Sequence, residues 1–261
     1  MKVITGRSNE KIKLAAALLA SADKRKKTEL FLLEGARLCL DAANSRVRIQ
    51  TLFVTQKALS HFVNEVEVIA QSADEIYRID DYLASKISDT KNSQGVFCIC
   101  KMLDKKEDIY KMNYKGKYIA LEELSNPLNL GFVCRSAEAF GVQGVIVSGG
   151  CDIYNPKAQR AAMGSLLRLP VIETDNLSTL LLNLANKGMK TFAAVVDPDA
   201  KDIKTVAFSG GVVCAVGNEG AGLKTETVNA VQGKIKISMK GKTQSLNANA
   251  AAAVIMWEMM R

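Results

Sequence analysis

The feature that most narrows the possible folds is a set of near-continuous apolar runs in the second half of the chain. "KYIALEEL", "GVQGVIVSG", "KTFAAVV", "GVVCAVG" and "KIKISM" recur at intervals long enough to hold a helix. Runs without polar alternation suit parallel strands covered on both faces. Helical patterns fall between them at 129–140, 156–165, 176–187 and 222–232. Strand and helix in alternation predict an α/β domain with a parallel sheet flanked by helices. In such sheets ligands lie beyond the carboxyl ends of the strands, so the residues after each run are where chemistry is to be sought.

The first half differs. All four prolines and 15 of the 18 glycines lie at or after Gly116. Before that point the pattern predicts a small α/β domain. An amphipathic stretch over 9–27 is followed by a strand "LFLLEG", a helix "ARLCLDAANS", a strand "IQTLFVT" and a helix over 56–65. A strand "VEVIA", a helix over "SADEIYRIDDYLASKI" and a strand "GVFCIC" complete it. The charged, weakly patterned "KMLDKKEDIYKMNYKGK" predicts a linker. The expected division is 1–100, a linker over 101–115, and a second domain over 116–261.

Composition excludes several function classes. At 261 residues and 48% hydrophobic the chain can bury two cores. No apolar run approaches the roughly 18 residues of a membrane span, and "MKVITGRSNEKIK" lacks the apolar core of a secretion signal. The six cysteines are scattered with no C-x-x-C pair. Reduced thiols in a cytoplasmic protein, away from any membrane, are the expectation. One histidine, His61, rules out a His-rich zinc centre or an H-E-x-x-H site within one chain, and no metal is expected. The net charge of +8 favours a polyanionic partner. Residues 1–30 hold eight Lys and Arg against three acids, although "DKRKK" is equally a solvated loop between helices.

Polar residues collect after three of the strands. In "SNPLNLGFVCRSAEAFG", Ser125-Asn126-Pro127 signals a turn and Asn129 is a plausible N-cap. Arg135 falls in an otherwise apolar helix, where it either snorkels to solvent or offers its planar fork to a phosphate or another oxygen pair. "GNEGAGL" has three glycines in six positions, in neither the Rossmann nor the Walker order. Glu219 within it disfavours a phosphate and suits an amine or a sulfonium. "KGKTQSLNANAAAA" offers Ser245, Asn247 and Asn249 ahead of a greasy helix. Capping needs one such residue, not three. Three loops of this sort predict one shared pocket.

Together these segments resemble the SpoU (TrmH-type) family of RNA ribose 2′-O-methyltransferases, within the SPOUT class. The family's first motif is matched by "LEELSNPLNLGFVCRSAEAFGVQGVIV", its second by "AVGNEGAGL" and its third by "IKISMKGKTQSLNANAAAA". "YNPKAQRAAMGSLLRLPV" is similar to the segment between the first two. The first hundred residues resemble the ribosomal-protein-like α/β domain that many members use to bind substrate RNA. The third motif departs from the family at Ser238, where proline is usual, and at Ala248, Ala250 and Ala251, where β-branched residues are more common.

The resemblance implies a SPOUT domain with a deep trefoil knot at the C-terminus, which general topology rules treat as an exception. It implies a homodimer through the C-terminal domain. S-adenosylmethionine is the implied cofactor, held by Gly217, Asn218, Gly220, Gly222, Leu223, Ile237, Met239, Ser245 and Leu246. The implied catalytic set is Asn129, Arg135, Glu219, Ser245 and Asn247. The family assigns the base role to the arginine matching Arg135. A free guanidinium, with pKa above about 12, is a poor proton acceptor, so stabilising the developing alkoxide is the competing role. Asn249 is unassigned between capping, a dimer contact and catalysis. The implied RNA contacts are Arg7, Lys11, Lys24, Arg25, Lys26, Lys27 and Arg160, with large-subunit rRNA favoured over tRNA. Two other readings remain: an RNA-binding protein without activity, and a nucleotide-binding α/β enzyme using "GNEGAG" as a phosphate loop.

Overall fold

The computed structural model describes residues 1–103, 109 and 112–261. The chain forms two compact units, Met1–Leu103 with Asp152–Arg168, and Asp104–Cys151 with Leu169–Arg261. Within the expected linker over 101–115, residues 104–108, 110 and 111 lie outside the described residues.

The first unit is built on strands β1 (Lys2–Val3), β2 (Leu30–Glu34), β3 (Ile49–Thr55), β4 (Ala73–Ile79) and β5 (Val96–Lys101) in the order β1-β4-β3-β5-β2. β1, β4 and β3 run parallel, and β5 is antiparallel to both β3 and β2. The amphipathic stretch is two helices, α1 (Glu10–Ala20) and α2 (Ala22–Thr28). Ser21 closes the first and caps the second, its hydroxyl accepting from Lys24 N. α3 (Ala36–Asn44), α4 (Gln56–His61), α5 (Val63–Ser72) and α6 (Asp81–Lys86) follow. Ile12, Leu18, Leu32, Phe53, Leu83 and Phe97 share one core.

Two expected elements are wrong here. "VEVIA" lies in α5, where Val66 and Ile69, three apart, face inward together. The helix expected over "SADEIYRIDDYLASKI" is a strand, β4, and then α6. Tyr77 and Ile79 are buried two apart, and Asp80 caps α6 by accepting from Leu83 N at 2.7 Å. β-branched residues favoured the first misreading, and charged residues the second, where burial period decides.

In the second unit β6 (Lys117–Glu122), β7 (Gly144–Ser148), β8 (Val171–Glu173), β9 (Lys190–Ala194), β10 (Lys201–Asp202), β11 (Val212–Val216) and β12 (Gly233–Lys236) form one sheet. Its order is β10-β12-β9-β11-β6-β7-β8, and every pairing is parallel. β8 and β10 are too short to carry a pattern. α7 (Pro127–Phe140) follows β6. α8 (Pro156–Ala162) and α9 (Ser165–Arg168) lie between β7 and β8 in sequence, yet residues 152–168, expected with the second domain, belong to the first unit. The reason is their partners. Tyr154 packs on Phe31 with ring centroids 4.7 Å apart, and Asp152, Arg160 and Arg168 pair with Arg25, Asp89 and Asp41.

α10 (Leu177–Asn186), α11 (Thr225–Ala230) and α12 (Ala248–Met260) complete the second unit. α12 packs against α7, β11 and β6. Because neighbouring strands are parallel, the loops after β6, β11 and β12 leave one edge of the sheet together.

Candidate active site

The glycine loop after β11 is closed on itself. Asn218 and Gly222 exchange main-chain hydrogen bonds at 3.0 Å each way. A Cβ on Gly217 would run into the main chain of Gly222 and Leu223, and Gly222 has φ +71°. These two positions therefore require glycine. The Asn218 side chain accepts from Gly220 N at 2.8 Å and Ala221 N at 3.1 Å, and donates to Glu123 O at 2.7 Å.

Two consecutive glutamates at the end of β6 hold the loop from outside. Glu122 is buried, and its carboxylate accepts from Thr227 Oγ1 at 2.6 Å and Lys224 N at 2.8 Å. Glu123 pairs with Lys224 Nζ at 2.9 Å.

Glu219 projects from the loop towards α7. Its Oε1 accepts from Asn129 Nδ2 at 2.7 Å, and its Oε2 from Ser125 Oγ at 3.2 Å. Partial burial pushes the Glu219 carboxyl up, but the donors on Asn129, Ser125 and its own main chain outweigh burial and leave it below the ordinary carboxylate range. It is therefore an anion at neutral pH. Asn129 is buried within α7 and is not its cap. Asn126 caps that helix by accepting from Leu128 N, with Pro127 in the first turn, so Asn129 is free to face the loop. Its Oδ1 accepts from Asn249 Nδ2 at 2.9 Å.

Beside this network lies a cavity of about 870 Å³. Its walls include Gly217, Asn218, Gly220, Gly222 and Leu223 from one loop, and Ile237, Met239, Ser245 and Leu246 from the other. All nine expected cofactor residues line it, with Glu219 among them. Val195, Ile203 and Ile255, which no sequence pattern singled out, add apolar surface, as does Ala251. Ser238 donates to the Asp202 carboxylate on β10, which anchors the strand end where the family usually has proline.

Three expected catalytic residues, Asn129, Asn247 and Arg135, sit apart from the cavity wall. Asn247 caps α12, its Oδ1 accepting from Asn249 N at 2.9 Å. Arg135 is exposed on α7. Six residues separate it from Asn129, which turns the two side chains about 120° apart around the helix axis. Sequence reasoning left Asn249 unassigned, read Ser125 only as part of a turn, and passed over Glu122 and Thr227. The signals were a third polar residue beyond what a cap needs, and paired carboxylates at a strand end. Among the described residues no group of three His, Cys, Asp or Glu side chains is placed to hold a metal.

The sequence matches the model of the SpoU rRNA Methylase family over residues 116–257, and that of the MRM3-like substrate binding domain over residues 9–98. The chain belongs to the SpoU rRNA methylase family. Among its relatives is the 23S rRNA (guanosine(2553)-2′-O)-methyltransferase RlmP of Bacillus subtilis, 26% identical over 260 residues and covering 99% of each chain. The 23S rRNA (uridine(2479)-2′-O)-methyltransferase of Streptomyces viridochromogenes is 27% identical over 266 residues, covering 99% of this chain and 91% of the relative. A crystal structure of an RNA 2′-O ribose methyltransferase superposes with TM-score 0.82 at 26% identity, covering 99% of this chain and 98% of that one. The AdoMet-bound rRNA methyltransferase of Sinorhizobium meliloti, at 24% identity, shares the fold with TM-score 0.87, covering 99% of this chain and 97% of that one.

The basic residues of this SpoU family member divide into two groups. Arg7, Lys26 and Lys27 are exposed, and Lys24 is half-buried on the same helix as Lys26 and Lys27. Lys11 pairs with Glu75, and Arg160 pairs with Asp89 at 2.6 Å. Arg25 does not fit the role expected of it. It is 2% exposed, its Nε bonds Asp152 at 2.6 Å, and its Nη1 donates to Leu18 O at 2.6 Å. A guanidinium committed inside the unit is not available to a phosphate. Among the described residues no helix is long and apolar enough to cross a membrane.

Proposed function

We propose that the protein transfers a methyl group from S-adenosylmethionine to a ribose 2′-hydroxyl of structured RNA, with large-subunit rRNA as the substrate class and tRNA second. The observation that carries this reading is the cavity walled by the two loops after β11 and β12, with the anionic Glu219 fixed at its edge. The residues present fit that cofactor. The glycine loop brings main-chain groups close, Leu223, Ile237 and Leu246 give apolar surface for a base, and a carboxylate suits a cationic ligand. Bound there, the cofactor supplies an electrophilic methyl on a good leaving group. The names of the relatives support RNA ribose as the acceptor.

The chain's own part is alignment and management of the hydroxyl proton. The Arg135 side chain, exposed and without a hydrogen bond to any described residue, is free to meet substrate oxygens. A guanidinium stays protonated, so its role is to orient a phosphate and stabilise the developing alkoxide. Ser245 lies on the cavity wall, where its hydroxyl orients the target nucleotide. Asn129 and Asn247 shape the site from the two helix starts.

The reading includes a homodimer through the second unit. Leu128, Phe132, Val254 and Trp257 are all more than a third exposed on α7 and α12, which pack together. It includes the trefoil knot, supported by β12 lying between β9 and β10 while the chain returns as α12 to α7 and β11. It includes a role for the first unit, with Lys26 and Lys27, in holding RNA in the cytoplasm.

The test pairs calorimetry with ribose-methylation mapping. Wild-type protein binds S-adenosylmethionine and restores a 2′-O-methyl mark missing from the RNA of a deletion strain. Arg135→Ala lowers the methylation rate by about 100-fold or more, the scale for losing a transition-state charge stabiliser, with cofactor affinity unchanged. A wild-type protein that does not bind the cofactor overturns the reading. Full activity of the variant overturns the role of Arg135.

A further inference from the structure

We infer that Asn249 is a positioning residue, which through Asn129 fixes the Glu219 carboxylate and with it the glycine loop that receives the cofactor. The inference rests on the methyltransferase reading of the cavity.

The argument begins with polarity. An ionised carboxylate only accepts hydrogen bonds. Glu219 accepts from Asn129 Nδ2 at 2.7 Å, so the Asn129 amide has one permitted orientation, with Oδ1 turned away from the loop. Asn129 is 4% exposed, so that oxygen needs a protein donor. Asn249 Nδ2 supplies it at 2.9 Å, across 120 residues of sequence. The row therefore runs in one direction, from Asn249 to Asn129 to Glu219. Ser125 Oγ meets the second carboxylate oxygen at 3.2 Å and completes the hold.

The side chain of Asn249 does not cap α12. Asn247 does that with its own oxygen, accepting from Asn249 N. Capping therefore accounts for the main chain of Asn249 and, among the described residues, leaves its amide group without a structural task except the bond to Asn129. Glu219, at the end of the row, is on the cavity wall, whereas Asn129 and Asn249 are not. Asn249 thus acts on the site only through the others.

N249D separates this role from a structural one. The introduced carboxylate has nearly the shape of the asparagine but only acceptors. It faces Asn129 Oδ1 with like polarity, and turning the Asn129 amide to relieve this points its oxygen at Glu219. If residue 249 served only α12, an acid in the first turn would be tolerated or favourable.

The experiment is calorimetric binding of S-adenosylmethionine to the full-length wild type, N249D and N249A, with thermal unfolding of each. The expected result is about tenfold or greater loss of affinity in N249D, the scale for one hydrogen bond in a charge-assisted row. N249A loses less, because it removes a donor without opposing Asn129. In an N129A background N249D causes no further loss, because the row is already cut. Wild-type affinity in N249D overturns the inference, and so does a larger loss in N249A than in N249D. If N249D unfolds early, N249A alone decides: weakened binding at unchanged thermal midpoint supports the role, and unchanged binding overturns it. Failure of the wild type to bind the cofactor instead overturns the methyltransferase reading and this inference with it.

Discussion

Replacing Thr227 by valine removes one hydroxyl and almost no volume, from a place where the hydroxyl faces a buried carboxylate. Thr227 is fully buried, Glu122 is 2% exposed, and the bond between them is 2.6 Å. Among the described residues one other donor reaches this carboxylate, the main-chain N–H of Lys224 at 2.8 Å. A hydrogen bond to a charged group contributes about 1.5–3 kcal/mol, and both partners are buried away from solvent. The cost of Thr227→Val is therefore about 1.5–3 kcal/mol. At about 2–4 °C per kcal/mol for a chain of this size, the thermal midpoint falls by about 3–12 °C. Thr227→Ser is the control. It keeps the hydroxyl and loses one methyl, at about 1 kcal/mol. The order of stability is then wild type, Thr227→Ser, Thr227→Val, the reverse of what packing volume dictates. Urea unfolding of the three proteins measures it. A valine variant as stable as the serine variant would refute the claim that Glu122 holds the glycine loop through Thr227.

Two further expectations follow from the same edge of the sheet. The Glu219 carboxyl titrates below its ordinary value of 4.5, so its hold on Asn129 is complete above that value and is lost only as pH falls through the lower, folded value. The affinity deficit of Glu219→Gln therefore stays constant between about pH 5.5 and 8; a deficit that disappears near pH 6, by calorimetry, would mean the group is protonated there. Phe132→Glu places a charge on the apolar stripe of α7, beside a helix carrying the 57% exposed Trp257. Sedimentation at micromolar concentration should find a dimer in the wild type and a monomer in the variant, a loss of about 2 kcal/mol or more for a central apolar anchor.

The sequence revealed the second unit more fully than the first, and the cause is strand burial. Val212–Val216 is buried at every position and announces itself as an apolar run. Ala73–Ile79 is half-buried and carries Asp74, Glu75 and Arg78, so no run marks it. The short strands β8 and β10 gain their pairing from neighbours and have no pattern of their own. Of the site, the crowding of glycine and small polar residues after two strands pointed to the loops of the cavity wall, while the individual cofactor residues followed from the resemblance to the family. The supports were not. Glu122 and Thr227 are 105 residues apart, and a carboxylate that ends a strand looks the same whether it faces water or a hydroxyl. Arg25 failed for a related reason. It sits among Lys24, Lys26 and Lys27, and only the fold reveals that one of the four turns inward to Asp152.

The polar start of α12 follows from charge in the loop it faces. Ser245, Asn247 and Asn249 precede or open a helix whose later residues Ala252, Ile255, Met256 and Met259 are fully buried. Three tasks divide them: Ser245 lines the cavity, Asn247 caps the helix, and Asn249 reaches Asn129. The last task exists because Glu219 is an anion. An anion dictates the orientation of the first amide, and that amide then requires a donor behind it. Asparagine answers both demands at 129, where a donor and an acceptor must point in opposite directions. At 249 only the donor is used by the row, which is why an acceptor-only replacement of the same shape should be worse there than a smaller apolar one.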